Sequence, residues 1–254
     1  MRTNLTDNFN LSTIIHGHWR LGDWNLKTPE LLELTHQAID LGVTSFDHAD
    51  IYGNYECEAI FGTALKSEPG LRNQIELISK TGIALKTDKF PERGLMYYDY
   101  SPDHIIASVE RSLKNLGTDR LDLLLLHRPS PFFDPEAVAG AFAKLKGQGK
   151  VLHFGVSNFT AGQFDTLDSF VEEPLVTNQI EISPYCLEHF EDGNIDYLQK
   201  KRVKPMAWSP LAGGHLIHPQ DEKGVRISTA LQHVQDEIGA KGIDQVIYSW
   251  LLKH

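Results

Sequence analysis

Asp47, Tyr52, Lys80 and His127 are a carboxylate, a phenol, an ammonium and an imidazole, and each stands at or just beyond the end of an apolar, strand-like run. Asp47 and Tyr52 lie in Phe46-Asp47-His48-Ala49-Asp50-Ile51-Tyr52-Gly53, Lys80 follows Ile75-Glu76-Leu77-Ile78-Ser79, and His127 follows Leu123-Leu124-Leu125-Leu126. In a parallel barrel such ends open onto one face, so the four groups are expected to converge. A tyrosine hydroxyl, with an ordinary pKa of about 10, donates its proton readily only if its anion is stabilised. Lys80 is expected to lower the Tyr52 pKa, Asp47 to keep Lys80 charged and oriented, and His127 to steer a substrate oxygen. Together they would protonate a developing alkoxide. The hydride that creates an alkoxide must come from a cofactor, because no side chain is a practical hydride donor.

Repeated strands and helices must carry these groups. Thr28-Pro29 opens a stretch with Leu31, Leu34, Ala38 and Leu41 on one face before Gly42, which reads as a capped amphipathic helix. The same grammar returns at Ser101-Pro102 before Gly117 and at Asp134-Pro135 before Gly147, and Thr160 is a further N-cap ahead of Phe164 and Leu167. Between them, runs at Thr13 to Ile15, Val43 to Phe46, Ile75 to Ile78, Leu121 to Leu126, Val151 to Val156, Leu175 to Ile180 and Val203 to Trp208 read as strands one to seven. Alternating strands and helices indicate parallel βα units, in a barrel or a doubly wound open sheet. A dinucleotide-binding open sheet would favour Gly-x-Gly-x-x-Gly after its first strand, and that turn is missing, so the α/β barrel is preferred. The irregular stretch Thr87 to Tyr100, with Tyr97, Tyr98 and Tyr100, becomes a long loop on the active face, suited to substrate contacts.

The 254 residues suit one barrel domain spanning 1–254. A formal charge of -10 gives no general attraction for nucleic acid. Cys57 and Cys186, distant and in no Cys-x-x-Cys pair, argue against a disulfide framework or zinc site and for a reducing, cytoplasmic setting. The first residues lack a secretory signal, and no run is long enough to span a membrane.

With these residues in hand, the chain from about His16 onward resembles the aldo-keto reductase superfamily, nicotinamide-dependent enzymes on a (β/α)8 TIM barrel. Phe46 to Gly53 matches that family's Asp and Tyr motif, Ser79-Lys80 its lysine and Leu126-His127-Arg128-Pro129 its histidine. Gly155-Val156-Ser157-Asn158-Phe159, Asn178-Gln179-Ile180-Glu181 and Trp208-Ser209-Pro210-Leu211 follow in the family's order. The resemblance implies reduction of aldehydes or ketones with NADP (NADPH), with Tyr52 as proton donor supported by Asp47, Lys80 and His127. It implies that Ser157, Asn158 and Gln179 hold the nicotinamide carboxamide, that Trp208 stacks on the ring, and that Ser209, Leu211 and Gly213 lie by the pyrophosphate. The partner would be a small carbonyl compound, with no metal, nucleic acid or membrane; the oligomeric state stays open.

Two departures accompany the resemblance. His48 stands where the family more often has Thr or Ser, and the chain stops at Trp250-Leu251-Leu252-Lys253-His254, inside the expected seventh helix. An eighth strand and helix, and the segment that grips the adenosine 2'-phosphate, are therefore expected to be missing, leaving an open seam between strands one and seven. Such edges carry unpaired backbone groups.

Two other functions compete. His16-x-His18 resembles the metal pair of a barrel hydrolase, since residues two apart on a strand share a face. That class would also want histidines ending strands five and six, where Ser157-Asn158 and Glu181-Ile182-Ser183 stand. The third reading is a non-catalytic nicotinamide-binding regulatory subunit, for which no partner surface is marked. His153, near the start of its strand, is expected to lie away from the active face, and Glu172-Glu173 and Glu191-Asp192 to be solvated.

Overall fold

The computed structural model describes residues 1–253, which fall into two compact units, Met1–Thr177 and a second beginning at Asn178. The first contains five parallel strands in the order His16–Gly17, Ser45–Asp47, Glu76–Thr81, Leu121–Leu126 and Val151–Ser157. Their register sets Gly17 beside Asp47, Asp47 beside Ile78 and Lys80 beside Leu125. Leu121–Leu126 is buried along its whole length, as parallel strands covered on both faces must be.

The helices follow the punctuation. Ser101 Oγ accepts the His104 N–H at 3.3 Å to open Pro102–Leu116, and Gly117 closes that helix at φ 69°. Asp134 caps Pro135–Gly147 through the N–H groups of Glu136 and Ala137, and Thr160 and Gln163 form a reciprocal capping box on Ala161–Asp168. In Thr28–Asp40 the cap position moves one residue upstream, to Lys27, whose N–H donates to Glu30 Oε2 at 2.7 Å.

The first strand lies later than Thr13 to Ile15. An antiparallel hairpin, Arg2–Asn4 with Asn10–Ser12, takes up the chain before it. Ser12 then meets Ser45 through paired side-chain bonds, its N–H donating to Ser45 Oγ at 2.8 Å and its Oγ accepting the Ser45 N–H at 3.0 Å, and the ladder begins only at His16. The stretch Thr87 to Tyr100 is also partly ordered, because Tyr97–Tyr98 pairs antiparallel with Ile83–Ala84.

In the second unit Asn178–Glu181 pairs parallel with Met206–Trp208. Helices Asn194–Lys201, Glu222–Ile238 and Ile243–Lys253 follow or intervene, and Ala212, Leu216, Leu231, Val246 and Ile247 form its core. Seven parallel strands are thus present among the described residues, and His16–Gly17 and Met206–Trp208 are both end strands. No described helix is long and apolar enough to cross a membrane.

Candidate active site

Lys80 is the hub. Its Nζ donates to Asp47 Oδ2 at 2.6 Å, to the His48 carbonyl at 2.8 Å and to the Tyr52 hydroxyl oxygen at 3.0 Å. An ammonium has three N–H bonds and all are used, so its direction is fixed. Because Lys80 donates to the phenol oxygen, the Tyr52 proton must point elsewhere. Burial alone would drive the Lys80 ammonium towards neutrality, yet Asp47 and Tyr52 more than offset it and raise its pKa above the usual value.

At Tyr52 the lowering expected from Lys80 is present but outweighed. Burial raises its pKa above 10; Lys80 opposes that rise, Asp47 adds to it, and the net direction is upward. The lysine therefore limits the cost of forming a tyrosinate rather than producing one at neutral pH.

His127 continues the strand Leu121–Leu126, its N–H donating to the Thr81 carbonyl at 2.9 Å, and its ring meets that of Tyr52 edge-on at 5.8 Å. Burial, then the charges of Lys80 and Arg128, hold it well below the usual histidine value, so it is neutral at pH 7. A neutral imidazole is one donor and one acceptor, suited to orienting an oxygen rather than to supplying charge. The Asn158 side chain donates to the His127 carbonyl at 3.1 Å and to Ser157 Oγ at 2.9 Å, tying the end of Val151–Ser157 to the histidine. Structure thus gathers Asp47, Tyr52 and Lys80 by direct hydrogen bonds, His127 by ring contact, and Ser157 and Asn158 through the His127 backbone.

The turn after Tyr52 is strained. Gly53, Asn54 and Tyr55 have φ of 58°, 55° and 71°, and left-handed backbone costs non-glycine residues roughly 1–2 kcal/mol each. Tyr55 is buried and heavily held: its hydroxyl accepts the Leu85 N–H at 2.9 Å and Arg93 Nη1 at 2.7 Å, and its carbonyl accepts Lys89 Nζ at 3.0 Å. Sequence reading did not find Tyr55, Lys89 or Arg93: Gly53-Asn54 favours a left-handed turn, but nothing local announces that Tyr55 extends it or that Lys89 and Arg93 reach it.

Behind the sheet lie two further polar groups. Strand alternation puts Asp47 with Gly17 on one face, and His16 and His18 with Phe46 on the other, against Phe61 of helix Cys57–Ser67. His16 Nδ1 and His18 Nε2 share a hydrogen bond at 3.2 Å, and His18 Nδ1 and His48 Nε2 another at 3.0 Å. Burial lowers all three, His48 to about 3, so the His-x-His pair is neutral and mutually bonded on the helix side of the strand. Among the described residues no group of three or more His, Cys, Asp or Glu is arranged to hold a metal.

The other group joins Asp50, Glu58 and Arg111. Asp50 Oδ2 accepts from Ser108 at 2.7 Å and Arg111 at 3.0 Å, and Glu58 accepts from Ser79 Oγ at 2.7 Å. Burial raises Asp50 to about 6 and Glu58 to about 7. Glu58 was legible in principle: it lies on one helical face with Phe61, Gly62 and Leu65, an acid on an apolar stripe.

In the second unit, Gln179 is buried in its strand, and Trp208 ends Met206–Trp208. Ser209, Ala212, Gly213 and Gly214 have φ of 49°, 52°, 65° and 105°, a left-handed turn immediately after the strand. His153 stacks on Phe9 at 4.0 Å, a packing role.

Comparison with known proteins places these features in a lineage. The family model described as "Aldo/keto reductase family" matches residues 13–254. An uncharacterized oxidoreductase, YcsN, of Bacillus subtilis is 52% identical over all of this chain and 84% of its own length. A 6-dehydroglucose reductase of Agrobacterium fabrum is 43% identical, again across the whole chain and 84% of the relative. Among solved structures, a thermostable aldo-keto reductase in complex with the inhibitor epalrestat aligns with a TM-score of 0.81 at 28% identity, covering 100% of this chain and 85% of that one.

Proposed function

Because the chain belongs to the aldo/keto reductase family, an oxidoreductase family whose solved member shares its barrel fold, we propose that it reduces an aldehyde or ketone with NADPH, Tyr52 protonating the carbonyl oxygen. The observation that carries this reading is the bond from Lys80 to the Tyr52 oxygen, which leaves the phenol proton to point away from Lys80. A carbonyl oxygen accepting that proton and a hydrogen bond from neutral His127 would be held while its carbon is attacked. As negative charge grows on the carbonyl oxygen, the proton leaves Tyr52, and the fixed ammonium of Lys80 stabilises the incipient tyrosinate. Asp47 keeps that ammonium charged and in place.

A bound reduced nicotinamide nucleotide supplies the hydride when present. Each unit by itself carries residues suited to such a group: in the first, Ser157 and Asn158 bring a hydroxyl and an amide to a strand end; in the second, Gln179 brings an amide within its strand and Trp208 an aromatic ring at the end of Met206–Trp208. The turn that contains Ser209, Leu211 and Gly213 has left-handed backbone at Ser209, Ala212, Gly213 and Gly214, and an added Cβ at Gly214 would meet nothing within 4 Å, so a phosphate could approach the main chain closely. These assignments, and the choice of NADPH over NADH, rest on the resemblance. The relative named 6-dehydroglucose reductase supports a dehydro-sugar as one class of carbonyl substrate. A cytoplasmic setting is supported by the two free cysteines, Cys57 and Cys186.

The test is consumption of NADPH and NADH, side by side, against a panel of aldehydes and ketones that includes oxidised sugars. Turnover with NADPH is expected, and Tyr52→Phe should lower kcat by about 100-fold or more. Undiminished turnover in Tyr52→Phe would remove the proposed acid, and equal use of NADH would remove the cofactor preference.

A further inference from the structure

We infer that Tyr55 and Arg93 are positioning residues for the proton donor: they latch the segment Leu85 to Arg93 onto the left-handed turn that follows Tyr52, and so hold the phenol in place. The inference rests on Tyr52 being that donor.

Three consecutive residues, Gly53 to Tyr55, have positive φ, and two of them carry side chains. Such a conformation persists only when its surroundings over-determine it. The local backbone supplies little: Tyr55 N–H reaches the Ile51 carbonyl at a long 3.4 Å, and Glu56 N–H is shared between the carbonyls of Tyr52 and Gly53 at 3.1 Å each. The strong contacts come from a distant segment. Arg93 Nη1 bridges the Tyr55 hydroxyl at 2.7 Å and the Leu85 carbonyl at 3.1 Å, while the Leu85 N–H donates to the same hydroxyl at 2.9 Å.

Two more contacts close the latch. Lys89 Nζ bonds the Tyr55 carbonyl at 3.0 Å and pairs with Glu56 at 2.8 Å. Phe90 meets the Tyr55 ring edge-on at 4.8 Å, and the Arg93 guanidinium lies over Phe90 at 3.8 Å. The tyrosine is therefore gripped at its carbonyl, its ring and its hydroxyl by one loop. That loop continues to Leu95, Met96, Tyr97 and Tyr98, all exposed, so its far end is free to meet a substrate while its near end fixes the turn carrying Tyr52. Lys80 fixes only the oxygen of the phenol; the latch fixes the backbone behind it.

The experiment compares Tyr55→Phe, Arg93→Met, the double variant and Tyr52→Phe by steady-state kinetics in H2O and D2O, with thermal unfolding as a check on folding. Tyr55→Phe and Arg93→Met should each lower kcat about 10-fold while KM stays within about twofold, since the loss lies in placing the reacting group. The solvent isotope effect on kcat should rise, because a displaced donor makes proton transfer more limiting, a change that mere destabilisation would not cause. The double variant should be no worse than the poorer single one, as expected for two parts of one contact. Wild-type kcat and isotope effect in both single variants, alongside an inactive Tyr52→Phe, would overturn the latch alone. An active Tyr52→Phe would overturn the donor assignment and the latch with it.

Discussion

Lys80 shows how one side chain can decide a site's chemistry. Its ammonium has no hydrogen left for substrate, so its part is to hold Tyr52 and to keep a positive charge beside the phenol oxygen. Removing it in Lys80→Met leaves Asp47 facing a buried phenol whose pKa burial already raises, and we expect kcat to fall about 100-fold or more. The pH dependence of the wild type follows from the same groups. On the proposed mechanism reduction needs Tyr52 protonated, and its pKa is displaced upward, so activity should be lost only above pH 10. His127 is displaced well downward and stays neutral across the middle of the range. A profile of kcat/KM should therefore be flat between about pH 6 and 8, and an inflection near the ordinary histidine value, about 6.5, would contradict a neutral His127. That these four side chains meet was legible in sequence because each stands at or just beyond the end of a strand-like run. The sign of the Tyr52 displacement was not, because burial outweighs the neighbouring charge and burial is a tertiary property.

Elements tell a different story about legibility. Caps at Ser101, Asp134 and Thr160 were readable because a cap is a local contact between residues two or three apart. The N-terminal hairpin was not, since Arg2–Asn4 and Asn10–Ser12 have three residues each, too few for an alternating pattern to stand out. Nor was the buried cluster of Asp50, Glu58 and Arg111, whose members come from a loop and two helices and meet only in the fold. That cluster has a thermodynamic signature. Asp50 and Glu58 have folded-state pKa values of about 6 and about 7, above their ordinary carboxylate values. The folded chain thus holds protons that the unfolded chain releases, so the cluster's contribution is fully present below about pH 4 and is lost as pH rises towards 7. Glu58→Gln removes the ionisation while keeping an acceptor for Ser79. Its stability relative to wild type should improve between pH 5 and pH 8, by at most roughly 3 kcal/mol. Denaturant unfolding of both proteins at the two pH values reads this; an unchanged difference would mean that Glu58 does not titrate in the folded state.

At the scale of the whole molecule, the class of the fold was legible because strands and helices alternate with clean punctuation, and a parallel strand covered on both faces must be largely apolar, as Leu121–Leu126 is apart from Asp122, whose carboxylate pairs with Arg72 at 2.8 Å. The division into two compact units was not legible, because periodicity identifies elements and says nothing about where contacts thin out. The positions of strands within their sheet set unequal local stability. Leu121–Leu126 is hydrogen-bonded on both sides, to Glu76–Thr81 and Val151–Ser157, and is wholly buried. His16–Gly17 and Met206–Trp208 are end strands of two and three residues, each with one edge unpaired by a strand among the described residues. Opening an end strand breaks one ladder and exposes little apolar surface, whereas opening the central strand requires most of its unit to come apart. Hydrogen exchange followed by mass spectrometry should therefore find the slowest amides in peptides covering Leu121–Leu126 and much faster exchange at both end strands. Equal protection at His16–Gly17 would mean that this edge is covered in solution. That result matters for the chemistry as well, because Gly17 lies in register with Asp47, whose carboxylate holds Lys80.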